Sequence, residues 1–316
     1  MIPAVKYGGT ERVVWGLGKA LSRMGHGVYY LARKGAYSPF AKAMYAYDPA
    51  KDLDDQIPDF IDVVHLHFFR KPLKKPYVYT LHGNCGDERT LDKNTVFISK
   101  NHADRHHGNV FVYNGLDWDE YDRPGRDARR EYLHFLGNAA WKVKNVKGAI
   151  EIARQAGEKL YVLGGCRLNL KMGIRFYPDL HVRFKGMVDN RKKSRYLQSS
   201  GGLLFPVLWH EPFGLAIIES LYFGCPVFGT PYGSLPELVT KETGFLSNSK
   251  SELAKAIKAS DYNRQYCHDY AVSEFCSSVM AGRYVSLYEK VLNGESLHLS
   301  HPYSQKNNET LLTMAD

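Results

Sequence analysis

Short apolar runs alternate with amphipathic or polar stretches along nearly the whole chain, and this alternation limits the possible folds more than any other feature. In the first part the runs are Val28–Leu31, Ile61–His67, Tyr77–Leu81, Val96–Ile98 and Val110–Tyr113, each followed by polar or glycine-bearing residues. In the second part they are Tyr132–Leu136, Leu160–Leu163, Val182–Phe184, Leu203–Phe205 and Pro226–Phe228. Helical spacing marks Thr10–Arg23, where Val13, Val14, Leu17 and Leu21 share one side, and also Val146–Ala156, Gly214–Phe223, Ser251–Ala259 and Phe275–Leu292. A strand covered on both faces is apolar at successive positions rather than at alternate ones, which is the habit of parallel sheets flanked by helices. The expected class is therefore α/β, in two halves of similar style.

A chain of 316 residues has room for about two domains of roughly 150 residues. The stretch Asp117–Arg130 is strongly charged, carries Pro124 and Gly125 at its middle, and reads as the linker. The expected division is 1–122, 131–295 and a loose polar tail over 296–316. Few residues precede the glycines Gly8 and Gly9, so the strand that normally opens such a half is expected to be short or missing. In sheets of this kind ligands sit beyond the carboxyl ends of the strands. Two halves facing each other would place a cleft between them.

Lys and Arg number 42 against 33 Asp and Glu, a formal charge of +9, which favours phosphates, anionic lipid or nucleic acid as partners. The basic runs Arg70–Lys75 and Arg191–Arg195 read either as solvated surface or as contacts to an anionic membrane or a phosphorylated glycan. No RNA- or DNA-binding motif accompanies them, and nucleic acid is not an expected partner. The five cysteines have no C-x-x-C spacing, so a cytoplasmic, reducing setting is expected. No run approaches the ~20 apolar residues that span a bilayer, and residues 1–9 lack the charged start and apolar core of a secretion signal, so none is expected there. His65 and His67 share a strand face, and His102, His106 and His107 cluster in sequence. No carboxylate or cysteine stands at a supporting spacing, so they are read as cleft-lining or packed residues rather than metal ligands.

The segment His210–Ser220 carries the most chemistry. A strand ends at Phe205, a loop bears Glu211, and a helix begins near Gly214. Amides at a helix start lack internal partners and attract anions; Gly214 removes a side chain that would block approach. Glu211 can accept from sugar hydroxyls and Glu219, about a turn and a half into the helix, from a ribose. The plainer reading is a surface helix whose N-terminal acid balances the dipole. Elsewhere, Gly8-Gly9 before a helix is a weak phosphate signal, and His82 at a strand end is more often structural. Asn114-Gly115 reads as a turn with positive φ.

From Glu211 to Leu246 the wording resembles the E-x7-E region of glycosyl transferases group 1, the retaining glycosyltransferases of family 4. The likeness continues through Leu221–Val227, Gly233–Val239 and Thr243–Leu246. That family has the GT-B fold, two facing Rossmann-like domains with parallel sheets and a cleft between them. The resemblance implies that Glu211 binds the donor sugar and acts at the reacting centre, and that Glu219 binds the nucleotide ribose. Backbone groups of Phe213, Gly214 and Leu215 would hold sugar and diphosphate. Gly8-Gly9-Thr10 resembles the acceptor-side loop, with Gly9 facing the diphosphate, and His82 resembles the strand-end histidine that approaches the transferred sugar. Lys144 stands at the family's diphosphate lysine and Val188 at its base-contacting strand end. Asn138 replaces the expected arginine, which removes a fixed positive fork; Lys142 or Lys147 could compensate.

The implied activity is retaining, metal-independent transfer of a sugar from a UDP- or GDP-sugar to a glycan or lipid-linked acceptor. Surface polysaccharide or lipopolysaccharide synthesis, in the cytoplasm or peripherally on the inner face of the membrane, is the expected setting. The alternatives are a non-catalytic glycan- or lipid-binding relative and a sugar-nucleotide epimerase of the same fold.

Overall fold

The computed structural model describes residues 8–69, 71–125, 129–169, 175–305 and 311–316. Contacts divide the chain into two compact units: Met1–Trp118 with Glu274–Glu309, and Asp119–Ser273 with Thr310–Asp316.

The first unit opens with the helix Gly9–Arg23, which buries Val13, Val14, Leu17 and Ala20 along one side. Gly25, at φ 92°, follows it in the left-handed region that glycine tolerates. The strand Tyr29–Ala32 then pairs in parallel with Ala43–Ala46. A second parallel sheet holds Val64–Leu66, Tyr77–Thr80 and Thr95–Val96, with Tyr77–Thr80 central and wholly buried. The expected strand Val110–Tyr113 is reduced to a single bridge between Phe97 and Phe111. The short opening strand expected before Gly8 falls on residues 1–7, outside the described residues.

The helix Ser277–Leu292 lies in this first unit, against Gly9–Arg23 and Tyr77–Thr80, whereas 131–295 was expected to form the second domain. The anchor is the segment Asn114–Leu116, which is not a turn and whose Leu116 bridges Cys276. Leu116 N–H donates to Phe275 O, Ser277 N–H donates to Leu116 O, and a Cβ on Gly115 would lie 2.4 Å from Cys276 O. Neither Asn114 nor Gly115 has positive φ; the glycine is needed for close backbone approach, not for a left-handed turn. The expected loose tail is also corrected. His298 is buried and donates its N–H to Lys93 O, and Tyr303–Ser304 pairs antiparallel with Arg89–Thr90.

The second unit is built on a six-stranded parallel sheet. Its order is Val182–Phe184, Leu160–Leu163, Tyr132–Leu136, Ser200–Phe205, Val227–Gly229, Gly244–Leu246. Leu133, Phe135, Ile150, Ile152, Val162 and Phe228 are among its core residues, as the continuous apolar runs require. The helix Val146–Ala156 starts at Asn145, which is left-handed at φ 53° and whose side chain accepts from Gly148 N–H. A helix not expected from the sequence, Arg264–Glu274, buries only Cys267 and Ala271, too narrow a stripe to register as periodicity. The last residues return to this unit: Leu312 N–H donates to Leu208 O and Ala315 N–H to Asn248 O.

Candidate donor site

The parallel order sets the carboxyl ends of neighbouring strands side by side. Gly164 N–H donates to Gly186 O at 2.8 Å, and a Cβ on Gly164 would come within 2.2 Å of Gly137 O. The loops after three adjacent strands are thus locked together, and Leu208 N–H donates to Val143 O at 2.7 Å to add the loop after Ser200–Phe205. Lys144, Asn138, Val188 and Glu211 all lie on these loops.

Glu211 is buried at 6% exposure, in a loop fixed from behind by Gly233-Ser234. A Cβ on Gly233, itself at φ 67°, would lie 2.2 Å from Glu211 N and 2.4 Å from its O. Ser234 N–H donates to Glu211 O at 2.9 Å, and the Ser234 hydroxyl donates to Phe213 O at 2.6 Å. The Glu211 carboxylate is itself held through one oxygen. Oε2 accepts from Lys144 Nζ at 2.5 Å and from Trp209 Nε1 at 2.8 Å, while among the described residues Oε1 accepts no hydrogen bond. The Lys144 ammonium lies 5.0 Å from the Trp209 ring centroid and 5.2 Å from that of Phe205, close enough for both rings to stabilise it.

Gly214, at φ 88°, caps the helix Leu215–Tyr222. Ile217 N–H makes the first bond back to Gly214 O, so the amides of Gly214, Leu215 and Ala216 precede the hydrogen-bonded turn and point their partial charge outward. Sequence reading gave Lys144 and Glu211 to different parts of one ligand; the fold makes them partners.

Glu219 belongs to a second cluster. It is 5% exposed, accepts from the Tyr121 hydroxyl at 2.6 Å, and forms an ion pair with Lys193. Lys193 lies 5.2 Å from the Tyr121 ring centroid. The run Arg191–Arg195 is therefore not simply solvated: Lys193 is 3% exposed and Ser194 1%, on the inner side of the helix Asn190–Gln198. A buried cation at the third position of a basic run has no signature in charge counting, though its helical offset from Leu197 could have flagged it. In the other run Arg70 lies outside the described residues, Lys71 pairs with Asp52 and Asp54, and Lys75 donates to the Asp59 and Ile61 carbonyls.

Asn138 is half-buried and its Oδ1 accepts from Ala140 N–H at 3.0 Å, which fixes the turn rather than supplying charge. Lys142 and Lys147 are exposed, and Lys147 stands 3.8 Å from Glu151. Val188 is half-buried in the loop after Val182–Phe184.

The remaining predicted residues lie in the first unit. Gly8 and Gly9 are half-buried at the start of the helix Gly9–Arg23, and Thr10 is exposed. His82 follows the strand Tyr77–Thr80, half-buried, its Nε2 3.0 Å from His67 Nδ1. Burial pushes the His82 imidazole down to about 4. His67 is held well below its ordinary value by burial and then by the neighbouring His65 and His82. His65 bridges the Tyr288 hydroxyl at 2.8 Å and the Thr80 hydroxyl at 2.7 Å. The three histidines form a neutral row in which His65 stacks on His67, centroids 4.3 Å apart, and His67 is hydrogen-bonded to His82.

Comparison with known proteins bears on both units. Residues 130–260 match glycosyl transferases group 1. That segment contains Glu211, Glu219, Lys144 and Trp209. Over 118 residues the chain is 30% identical to an uncharacterized 41.2 kDa protein in the cps region of Klebsiella pneumoniae. The match covers 34% of this chain and 32% of that one, so the chain spans about a third of this curated relative. Among solved structures it resembles AviGT4, a glycosyltransferase involved in avilamycin A biosynthesis, at TM-score 0.76 and 22% identity over 93% of both chains. It also resembles a sucrose-phosphate synthase from Thermosynechococcus elongatus, at TM-score 0.67 and 17% identity over 93% of this chain and 97% of that one. A third likeness is to HepE of Anabaena, determined in complex with UDP and glucose, at TM-score 0.54 and 16% identity over 68% and 72%. These likenesses show the fold, which is GT-B. Among the described residues no helix is long and apolar enough to cross a membrane.

Proposed function

We propose that the protein is a retaining, metal-independent glycosyltransferase that moves a sugar from a nucleoside diphosphate donor to a glycan or lipid-linked acceptor. The observation that carries this reading is the buried Glu211 carboxylate, pinned through Oε2 and with Oε1 open to a ligand, beside the uncapped amides of Gly214–Ala216. A sugar hydroxyl can donate to Oε1, while the helix start and the ammonium of Lys144 meet the negative charge that grows on the leaving diphosphate. Glu219 accepts from the ribose, Val188 lies at the base, Gly9 serves the diphosphate, His82 supports the transferred sugar, and Gly8 and Thr10 serve the acceptor side. Asn138 brings no charge, so Lys144 is the principal side-chain cation for the diphosphate. Because fixed cation and amides supply the electrostatics, turnover should survive EDTA.

The donor base is proposed as uracil or guanine. HepE, which is similar in fold, was determined with UDP. The curated relative is described as a protein of the cps region, which favours surface polysaccharide or lipopolysaccharide synthesis, with the acceptor at an anionic membrane surface.

The test is release of nucleoside diphosphate from a panel of UDP- and GDP-sugars in the presence of glycan and glycolipid acceptors. Glu211→Ala should lower kcat by about 2–4 kcal/mol of transition-state stabilisation. Turnover by Glu211→Ala equal to the wild type would remove the proposed role. The anomeric configuration of the product, read by NMR, decides retention. Binding of glycan without nucleotide release would instead favour a non-catalytic relative.

A further inference from the structure

We propose that Trp209 is a positioning residue of the donor site, keeping the Glu211 carboxylate in place when Lys144 is drawn to the donor diphosphate; this rests on the glycosyltransferase reading above. Two geometric facts carry it. The indole Nε1–H donates to Glu211 Oε2 at 2.8 Å, and the face of the same indole lies 5.0 Å from the Lys144 ammonium. One side chain therefore holds the acid by its edge and the base by its face.

The arrangement answers a problem of charge. Lys144 is the cation bound to Glu211, at 2.5 Å, in a place where the two side chains are only 12% and 8% exposed. A nucleoside diphosphate entering this site brings a second anion to the same ammonium. An ammonium has three donors on a flexible stem, and phosphate oxygens compete for them with charge-assisted bonds as strong as the carboxylate's. If the lysine alone held Glu211, donor binding would loosen the carboxylate at the moment it is needed. The indole N–H cannot bind a second acceptor while it holds Oε2. It is fixed by the ring, which sits two residues from Glu211 on the same loop. It keeps Oε2 occupied and Oε1 directed at the sugar, whichever way the lysine turns. Phe205, its ring centroid 5.2 Å from the ammonium, offers the lysine a second ring face.

Trp209→Phe keeps the ring under Lys144 and removes only the N–H; Trp209→His restores an N–H. With the wild type, these variants are compared by calorimetric titration with UDP and GDP and by kcat and KM for the donor. Trp209→Phe should bind the nucleoside diphosphate as the wild type does, while kcat falls about tenfold or more, the weight of a hydrogen bond to a charged group. Trp209→His should recover part of that loss. A Trp209→Phe enzyme with wild-type kcat overturns the proposal. So does one in which nucleotide affinity and kcat fall together and Trp209→His recovers neither, since Trp209 would then be a packing residue. Should Trp209→Phe not fold, the indole N–H signals of 15N-tryptophan-labelled protein decide. The chain has four tryptophans; Glu211→Gln should move one signal upfield, and that signal should stay downfield in the wild type when UDP or GDP is added. No shift in Glu211→Gln, or loss of the downfield position on adding nucleotide, overturns the proposal. A wild type that binds neither nucleotide and transfers no sugar defeats the glycosyltransferase reading itself, and this proposal with it.

Discussion

Lys193 and Glu219 are a buried ion pair, and Glu219 also accepts from the Tyr121 hydroxyl; the cost and benefit of the two charges depend on each other. Taking both charges from water is expensive, and the pair repays it only while both members are present. Lys193→Met removes an ammonium from beside the buried Glu219 carboxylate, and should lower unfolding free energy by about 3–5 kcal/mol in a urea titration. Adding Glu219→Leu should restore most of that stability. If Glu219 also binds the ribose, the double variant will be stable yet deficient in UDP or GDP affinity by calorimetry. A stable double variant with wild-type affinity would leave the carboxylate a purely structural ion.

Local elements hold these side chains to within the small distances the chemistry needs. Asn145 illustrates how one residue orders two loops. It is left-handed at φ 53°, caps the helix Val146–Ala156 through Gly148 N–H, and donates from Nδ2 to Pro206 O at 2.9 Å. That last bond ties the Lys144 loop to the loop that leads to Glu211. Asn145→Ala loses the cap and keeps a Cβ in a left-handed conformation, and should cost about 2 kcal/mol of stability. Asn145→Gly relieves the backbone term and should cost less, since glycine tolerates both the cap position and positive φ. If alanine and glycine prove equally damaging in thermal melts, the tie to Pro206 rather than the helix cap is the dominant contribution.

On the scale of the whole molecule, buried neutral histidines set the pH response. Burial pushes His65 and His134 down to about 3 and His82 to about 4, and lowers His67, His102, His106 and His298 as well. An unfolded histidine titrates near 6.5. Below that pH the unfolded chain takes up protons that the folded chain refuses. This contribution is therefore neutral above about pH 6.5 and becomes progressively destabilising as pH falls towards 4 and then 3. His134, 0% exposed, should alone add a slope of about 1.4 kcal/mol per pH unit in that window. Urea unfolding at pH 8, 6.5 and 5.5 should show little change over the upper interval from these groups and a steep loss over the lower one. A flat profile from 6.5 to 5.5 would mean the imidazoles are not sequestered.

The class of fold and most of the second unit were legible in the residues themselves. A doubly covered parallel strand needs an unbroken apolar run, and Tyr132–Leu136, Leu160–Leu163 and Val182–Phe184 were found with the boundaries the sequence predicts. The loop–helix junction at Glu211 and Gly214 was legible for the same reason, since glycine and a carboxylate at a helix start act over a few neighbouring residues. What joins distant parts of the chain was not. The helix Ser277–Leu292 has the same amphipathic pattern whichever unit it covers, and tertiary contacts assign it, among them the backbone approach of Gly115 to Cys276 and the Tyr284 hydroxyl's bond to Thr80. The partners of Glu211 and Glu219, 67 and 26 residues away at Lys144 and Lys193, were likewise decided by the sheet order. Local spacing encodes what a residue's neighbours in sequence bury. Which charge faces which across the fold follows only when the strands have been stacked and the loops beyond their ends brought into contact.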